Sequence, residues 1–450
     1  MAKYLSLNDM ISLGGGLPSS EYFPFDEMTL KVPSLGHFSE KETHDQGTVI
    51  TAGKFDLEQD KSLFDIKTAF NYGQGTGAAQ FLRFIVEHTE IVHNPPYRNW
   101  QSTMTIGSTS AFDVACRMFL EKDDYLMTEE YSFSSSVEAA KQMGARVLGI
   151  PMDQEGMLPS GLDSLLSNWN ESERGARKPF VVYTVPTGQN PSGATMSLQR
   201  RKDIYAVAQK HDLYILEDEP YYFLQMPDYA GSPDVIPQPP ASHDAFLSSL
   251  VPSLLSLDVD GRVMRMDSFS KVISPGSRIG WITASAQIVE KYSKHADLST
   301  QSPSGMAQLI MFKLLDEHWG HAGYLDWLKH MRTEYTKRRN VMIAACDAYL
   351  PSSIVSYVPP RAGMFHWMNI DYEKHPAFGK KSFAEIEDAI FLCSIKHRAL
   401  VAKGSFFYAD AAAVHHGMFF RATYAAAPFD KINEAIRRFG EALREEFALP

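Results

Sequence analysis

Between Ser268 and Arg278 the chain reads Ser-Phe-Ser-Lys-Val-Ile-Ser-Pro-Gly-Ser-Arg. One lysine, Lys271, thus lies beside two hydroxyls, Ser268 and Ser270, and one guanidinium, Arg278. A neutral lysine amine attacks carbonyls and forms Schiff bases with them. Hydroxyl donors and a planar charged fork are what a phosphate requires. Amine and cradle together suit a ligand carrying both an aldehyde and a phosphate, as pyridoxal 5'-phosphate does. A polar surface loop with a solvated lysine accounts for the same residues, so the other groups this ligand needs must be found elsewhere.

Those needs follow from chemistry. The pyridine nitrogen must stay protonated to draw electrons, which calls for a buried carboxylate. Asp218, just past the apolar run Leu213–Leu216, suits that role, although an acid there can also cap a helix or face solvent. The phenolic oxygen needs donors, for which Asn190 and Tyr221 are candidates, and Tyr131 is placed to stack on the ring. Ser108 and Thr109 open a helical pattern, where free N–H groups and hydroxyls complete a phosphate cradle with Ser268, Ser270 and Arg278. Many helices begin with serine merely for capping, and Ser110 with Asp113 reads as a capping box.

The surrounding pattern must bring these groups together. Short apolar runs at 103–106, 124–127, 146–150, 181–185, 213–216, 263–266 and 279–282 read as strands, several with no polar interruption. Helical periodicity follows many of them: after the Phe70–Gly77 loop, with Phe81, Leu82 and Ile85 on one face, and then at 110–119, 135–143 and 197–210. Such alternation predicts a mostly parallel sheet of seven strands covered by helices on both faces. In that architecture functional groups gather at the carboxyl ends of strands, where Ser108, Asn190, Asp218 and Lys271 all fall. The glycines of 73–77 follow no strong strand, so a turn-rich loop is preferred to a dinucleotide fingerprint.

Elsewhere, Ile11–Pro18 reads as a strand running into Gly14, Gly15 and Gly16, and 31–62 as loop or weak hairpin. The proline-rich stretch 226–261 reads as a surface insertion with one short helix over Leu247–Leu257. Long helices are expected at 286–298, 304–317 and 321–350, the last bridging two domains. Strands at Gly363–Met368, Leu400–Ala402 and Met418–Thr423 and helices at 383–397 and 430–447 complete a smaller α+β unit. The final helix should bury Ile432, Ala435, Ile436, Phe439 and Leu443. The expected division is an N-terminal segment 1–60, a large domain 61–325 and a small domain 326–450.

Composition narrows the partners. A net charge of -11 over 450 residues argues against nucleic acid or an anionic membrane as the main partner. Cys116, Cys346 and Cys393 are far apart without CxxC spacing, which excludes a disulfide framework and a cysteine-rich zinc site and fits a reducing compartment. With no run of 18 apolar residues and no recognisable leader in Met1–Met10, a cytoplasmic location is expected, and no metal.

The matching stretches ISLGGGLP (11–18), Gly73–Gly77, GSTS (107–110), PTGQNPSG (186–193), EDEPYY (217–222), DSFSKVISPGSR (267–278) and FFRATYA (419–425) span nearly the whole chain. Together they resemble the fold-type I aminotransferases, in the branch of the fungal aromatic and 2-aminoadipate aminotransferases and kynurenine aminotransferase II. The resemblance implies a homodimer with sites at the subunit boundary, Tyr72 reaching the partner's phosphate, and Arg421 holding the substrate α-carboxylate. It places Gly14–Gly16 in a segment covering the substrate, with Gly16 and Asn190 among the substrate contacts. The chain begins ten residues before Ile11, so a longer N-terminal arm is not expected. The implied reaction is transamination between an aromatic amino acid and 2-oxoglutarate, with Lys271, Asp218 and Tyr221 as catalytic groups. Alternatives are 2-aminoadipate or kynurenine as donor, a transaminase of one biosynthetic pathway, lyase or decarboxylase chemistry on the same fold, and a regulator that only senses the cofactor. The last would carry a basic DNA-binding module, which the acidic balance disfavours.

Overall fold

The computed structural model describes residues 13–14, 16–413 and 417–450. The strand expected at Ile11 begins outside them, as does Gly15, and residues 13 to 18 that are described form no strand. The stretch 31–62 holds more structure than its polar composition suggests. Strand β1 (Glu27–Val32) pairs antiparallel with β2 (Thr48–Gly53), and a helix, Glu40–Gln46, lies between them. Ser39 and Glu42 start that helix with a reciprocal capping box, a local signal that needs no apolar face.

The large sheet is built from β3 (Trp100–Thr105), β4 (Tyr125–Glu129) and β5 (Arg146–Ile150), then, after a small ribbon of β6 (Met152–Asp153) and β7 (Gly156–Met157), from β8 (Val181–Thr184), β9 (Tyr214–Asp218), β10 (Val263–Ser268) and β11 (Gly280–Ser285). It has seven strands in the order β3-β11-β10-β9-β8-β4-β5. From β10 to β5 every pairing is parallel, and β11 runs antiparallel to both its neighbours. The uninterrupted apolar runs follow from burial on both faces. Leu126, Val181, Leu216 and Met264 enter one core, while their chain neighbours Met127, Val182, Ile215 and Val263 enter the other. The second core is closed by Leu162 and Leu166 of one helix, Pro159–Ser167, and Ile204 and Ala208 of another, Leu198–His211.

Shared strand polarity brings Thr105, Glu129, Thr184, Asp218 and Ser268 to one edge of this sheet. Gly280, the first residue of β11, pairs there with both Ser268 and Thr105. A second sheet, β12 (Val355–Tyr357), β13 (Phe365–Ile370), β14 (Ala402–Lys403) and β15 (Met418–Thr423), is antiparallel in the order β12-β13-β15-β14. The helix Gly320–Tyr349 leads into it and packs on the last helix, Phe429–Glu446.

Several local expectations need correction. The insertion helix spans His243–Ser248, started by the Ser242 hydroxyl, and only a 3-10 turn, Leu255–Leu257, follows Pro252, whose ring cannot continue a helix. The helix expected over 304–317 is α-helical at Gly305–Phe312 and continues as a π-helix over Lys313–Trp319. Strand β13 starts two residues after Gly363, which has φ +78 and faces the backbone of Gly188. In the last helix Ile432, Ile436, Phe439 and Leu443 are buried, but Ala435 is exposed on the flank of that stripe. Among the described residues no helix is long and apolar enough to cross a membrane.

Candidate active site

Lys271 sits in the turn between β10 and β11, half-buried. Burial and the nearby Arg278 pull its pKa below the ordinary lysine value, with Asp218 opposing them, so more of the amine is neutral than in water. Ser268 and Ser270 are bonded to each other at 2.8 Å, and Arg278 Nη1 donates to the Ser270 hydroxyl at 3.4 Å. Arg278 is exposed, and its Nη2 donates to the Ile106 carbonyl at 3.0 Å, which ties the lysine turn to the end of β3. Gly107, at φ +87, lets the guanidinium pass: a Cβ there would lie 2.5 Å from Arg278 Nη2.

The helix Ser108–Phe119 begins directly at this point. Its N-cap is Gly107, with no side-chain cap, so the box expected from Ser110 and Asp113 does not form and Asp113 pairs with Arg117 instead. The first N–H groups are left to an incoming anion. Ser108 Oγ is buried without a hydrogen-bond partner, whereas Thr109 is exposed.

Asp218 closes β9 and is buried. Its Oδ2 accepts from the Tyr183 hydroxyl at 2.9 Å, and its Oδ1 has no partner. Burial raises its pKa from the ordinary 3.8 to about 6, against the Tyr183 hydrogen bond and the Ser108 hydroxyl, which lies near enough to favour the anion although the two orphaned atoms do not meet in hydrogen-bond geometry. A buried carboxylate oxygen without a donor is costly, and a protonated ring nitrogen is the donor it lacks. The orphaned Oδ1, the orphaned Ser108 hydroxyl and the uncapped helix start therefore fit pyridoxal 5'-phosphate.

Tyr221 is buried against Phe365, and burial together with Asp218 keeps its hydroxyl protonated. Asn190, in the loop after β8, accepts from Arg421 Nη1 at 2.7 Å through Oδ1. Gln189, one residue earlier, donates to the Tyr131 carbonyl at 2.6 Å and so fixes this loop to the end of β4. Tyr131 is buried, its ring 5.4 Å from both Trp367 and Phe419. Arg421, in β15, lies between the rings of Phe365 and Phe407, 4.5 Å from each centroid. Burial lowers its pKa, and no acidic partner for it occurs among the described residues.

The sheet edge thus brings together Lys271, Asp218, Ser268, Ser270, Arg278 and Ser108, with Asn190, Tyr221, Tyr131 and Arg421 around them. It does not bring in Tyr72, which is 69% exposed, or Gly16, which is exposed with nothing within 4 Å of a Cβ built on it. Sequence reasoning missed Tyr183, Phe365 and Phe407. Tyr183 carried a signal, the one hydroxyl within the apolar run 181–185 besides Thr184, but the two rings that clamp Arg421 come from segments nothing local connects.

Comparison with known proteins gives consistent findings. The family described as aminotransferase class I and II matches residues 43–439. An aromatic amino acid aminotransferase of Schizosaccharomyces pombe is 44% identical over 439 residues, covering 97% of this chain and 92% of that protein. An L-tyrosine:2-oxoglutarate aminotransferase of Tapinella panuoides is 36% identical over 372 residues, covering 82% of this chain and 70% of the relative. The crystal structure of aminotransferase Aro8 from Candida albicans superposes with a TM-score of 0.93 at 40% identity, covering 100% of this chain and 95% of that one.

Proposed function

The chain belongs to the aminotransferases of class I and II, and from that membership we propose that it moves the amino group of an aromatic L-amino acid (tyrosine, phenylalanine or tryptophan) to 2-oxoglutarate, with pyridoxal 5'-phosphate as cofactor. The products are the aromatic 2-oxo acid and L-glutamate. The observation that carries the reading is the buried, unpartnered Asp218 Oδ1 at the sheet edge that also bears Lys271.

When bound, the cofactor supplies an aldehyde that takes up amino groups and a pyridine ring that accepts electrons. Ser268, Ser270, Arg278 and the helix start at Ser108 and Thr109 would hold the phosphate. With the cofactor bound, Asp218 Oδ1 would keep the ring nitrogen protonated, Tyr221 and the Asn190 amide would donate to the phenolic oxygen, and Tyr131 would cover the ring. Arg421 grips the α-carboxylate shared by every donor and acceptor. Lys271, as a neutral amine beside the bound substrate, would take the proton from the substrate α-carbon and carry it for return in the same site. With a second 2-oxo acid Lys271 would move the proton in the reverse direction.

The site reads as complete in a homodimer, in which the exposed Tyr72 reaches a second copy's phosphate cradle and Gly16 belongs to a cover over the substrate. We divide the chain at 1–60, 61–325 and 326–450. A screen of amino donors against 2-oxoglutarate, scored by glutamate formation, tests the reading. Tyrosine, phenylalanine and tryptophan should lead, and preference for 2-aminoadipate or kynurenine would overturn the donor assignment. Absence of glutamate with every donor would overturn transamination itself.

A further inference from the structure

Tyr183 occupies β8, whose register sets it opposite Leu216 of β9, diagonal to Asp218 on the same face. It is 1% exposed and packs edge-on against Phe112, ring centroids 4.7 Å apart. An ionised carboxylate only accepts hydrogen bonds, so the Tyr183 proton must point at Asp218 Oδ2, 2.9 Å away. That leaves the Tyr183 oxygen to accept in turn, and the buried Ser136 hydroxyl donates to it at 3.2 Å. Ser136 lies on a helix, Ser134–Gln142, that packs along the sheet, so the chain of donors runs from that helix through β8 to the end of β9.

We propose that Ser136 and Tyr183 are positioning residues for the reaction: a directed pair of hydroxyls that locks Asp218 Oδ2, presents Oδ1 to the ring nitrogen and keeps the carboxylate ionised at working pH. The proposal rests on the reading of Asp218 as the ring-nitrogen partner. Burial drives this carboxyl towards its neutral form, and a neutral Asp218 cannot balance a protonated ring. The Tyr183 hydroxyl counters that drive because it bonds to the anion, and it stays a donor because burial and Asp218 hold its own pKa well above the ordinary value. Asp267 on the neighbouring β10 acts in the opposite sense, adding negative charge, while Arg265 favours the anion. Tyr183 is the member of the pair that bonds the carboxylate directly, with Ser136 acting through it, while the Ser108 hydroxyl and the Lys271 amine face the same carboxylate and also favour its anion.

The test is the affinity of the cofactor-stripped full chain for pyridoxal 5'-phosphate, measured by fluorescence titration as a function of pH. It compares the wild type with Tyr183→Phe, Ser136→Ala and Asp218→Asn. The cofactor's own ionisations are common to all four and cancel in the comparison. In the wild type, affinity should fall as pH drops through about 6, where Asp218 takes up a proton. Loss of one hydrogen bond to the anion should move that midpoint upward by about one to two pH units in Tyr183→Phe. Ser136→Ala should move it in the same direction by less, and this milder change decides the matter if Tyr183→Phe does not fold. A uniform loss of affinity at all pH values with an unmoved midpoint would mean Tyr183 merely fills space, and would overturn the proposal. An unchanged pH profile in Asp218→Asn would instead sink the assignment of Asp218, a separate and distinguishable failure.

Discussion

Arg421 on β15 donates from Nη1 to Asn190 Oδ1 at 2.7 Å, joining residues 231 positions apart in the chain. The bond uses the amide oxygen of Asn190, so its NH2 remains as a donor, and it helps set the guanidinium between two aromatic rings. Held this way, with no acidic partner among the described residues, its charge is left for a ligand carboxylate to neutralise.

Arg421→Ala should therefore reduce kcat/KM for aromatic donors and for 2-oxoglutarate alike, by about a hundredfold or more, as expected for losing a charge-assisted bidentate contact. Steady-state kinetics with each substrate varied in turn check this. Severe impairment of 2-oxoglutarate with phenylalanine untouched would assign Arg421 to the distal carboxylate instead.

Lys271→Ala should lower turnover by at least about 10⁴-fold, because nucleophile and proton carrier are lost together. Borohydride reduction of the wild type followed by peptide mapping should place the cofactor on the peptide containing Lys271. Attachment at another lysine would refute the site as described.

Asp218 makes a prediction for the cofactor-free protein that separates stability from activity. Its folded pKa, about 6, lies above the ordinary 3.8, so the folded state binds this proton more tightly than the unfolded chain. Its contribution is fully present below the unfolded value and is lost as pH rises through about 6. At pH 8 the charged side chain costs on the order of 3 kcal/mol, at about 1.4 kcal/mol per pH unit. Asp218→Asn should then raise the thermal midpoint of the stripped protein at pH 8 and leave it little changed near pH 3.5, while slowing the loaded enzyme. Equal midpoints at pH 8 would show that the carboxylate is already compensated.

Beneath the site, Arg265 is fully buried, bonded to Asp267 at 2.8 Å and 3.4 Å from Glu217. Arg265→Met strands two buried acids and should destabilise by about 3–5 kcal/mol in urea titration. Arg437, on the exposed face of the last helix, bridges Glu434 and Glu441 in solvent, and Arg437→Met should leave the urea midpoint nearly unchanged. Similar losses for the two variants would contradict this reading of the buried network.

Much of this molecule is written in local pattern. The apolar runs that became β4, β8, β9 and β10, the turn that carries Lys271 and the acid that ends β9 are legible because strand, turn and strand-end each occupy a few consecutive residues. Parallel pairing then requires that groups following different strands share one edge, so the gathering of Ser108, Asn190, Asp218 and Lys271 could be inferred before any distance was known. Polar segments were harder to read: the helix Glu40–Gln46 rests on capping rather than an apolar stripe, and the start of the helix at Ser108 depends on Gly107 rather than on the Ser110 hydroxyl.

What the amino-acid order determined by itself is the fold, the lysine and the strand-end groups Ser108, Asn190, Asp218 and Ser268 that gather near it. Tertiary structure alone decided how those groups are supported: Asn190 against Arg421, Arg421 between Phe365 and Phe407, and Tyr183 with Ser136 behind Asp218. The physical reason is range. Periodicity and turn chemistry act over one or two turns of chain, whereas a hydrogen bond between side chains 35 or 231 residues apart depends on strand register and on how one sheet is laid against the other.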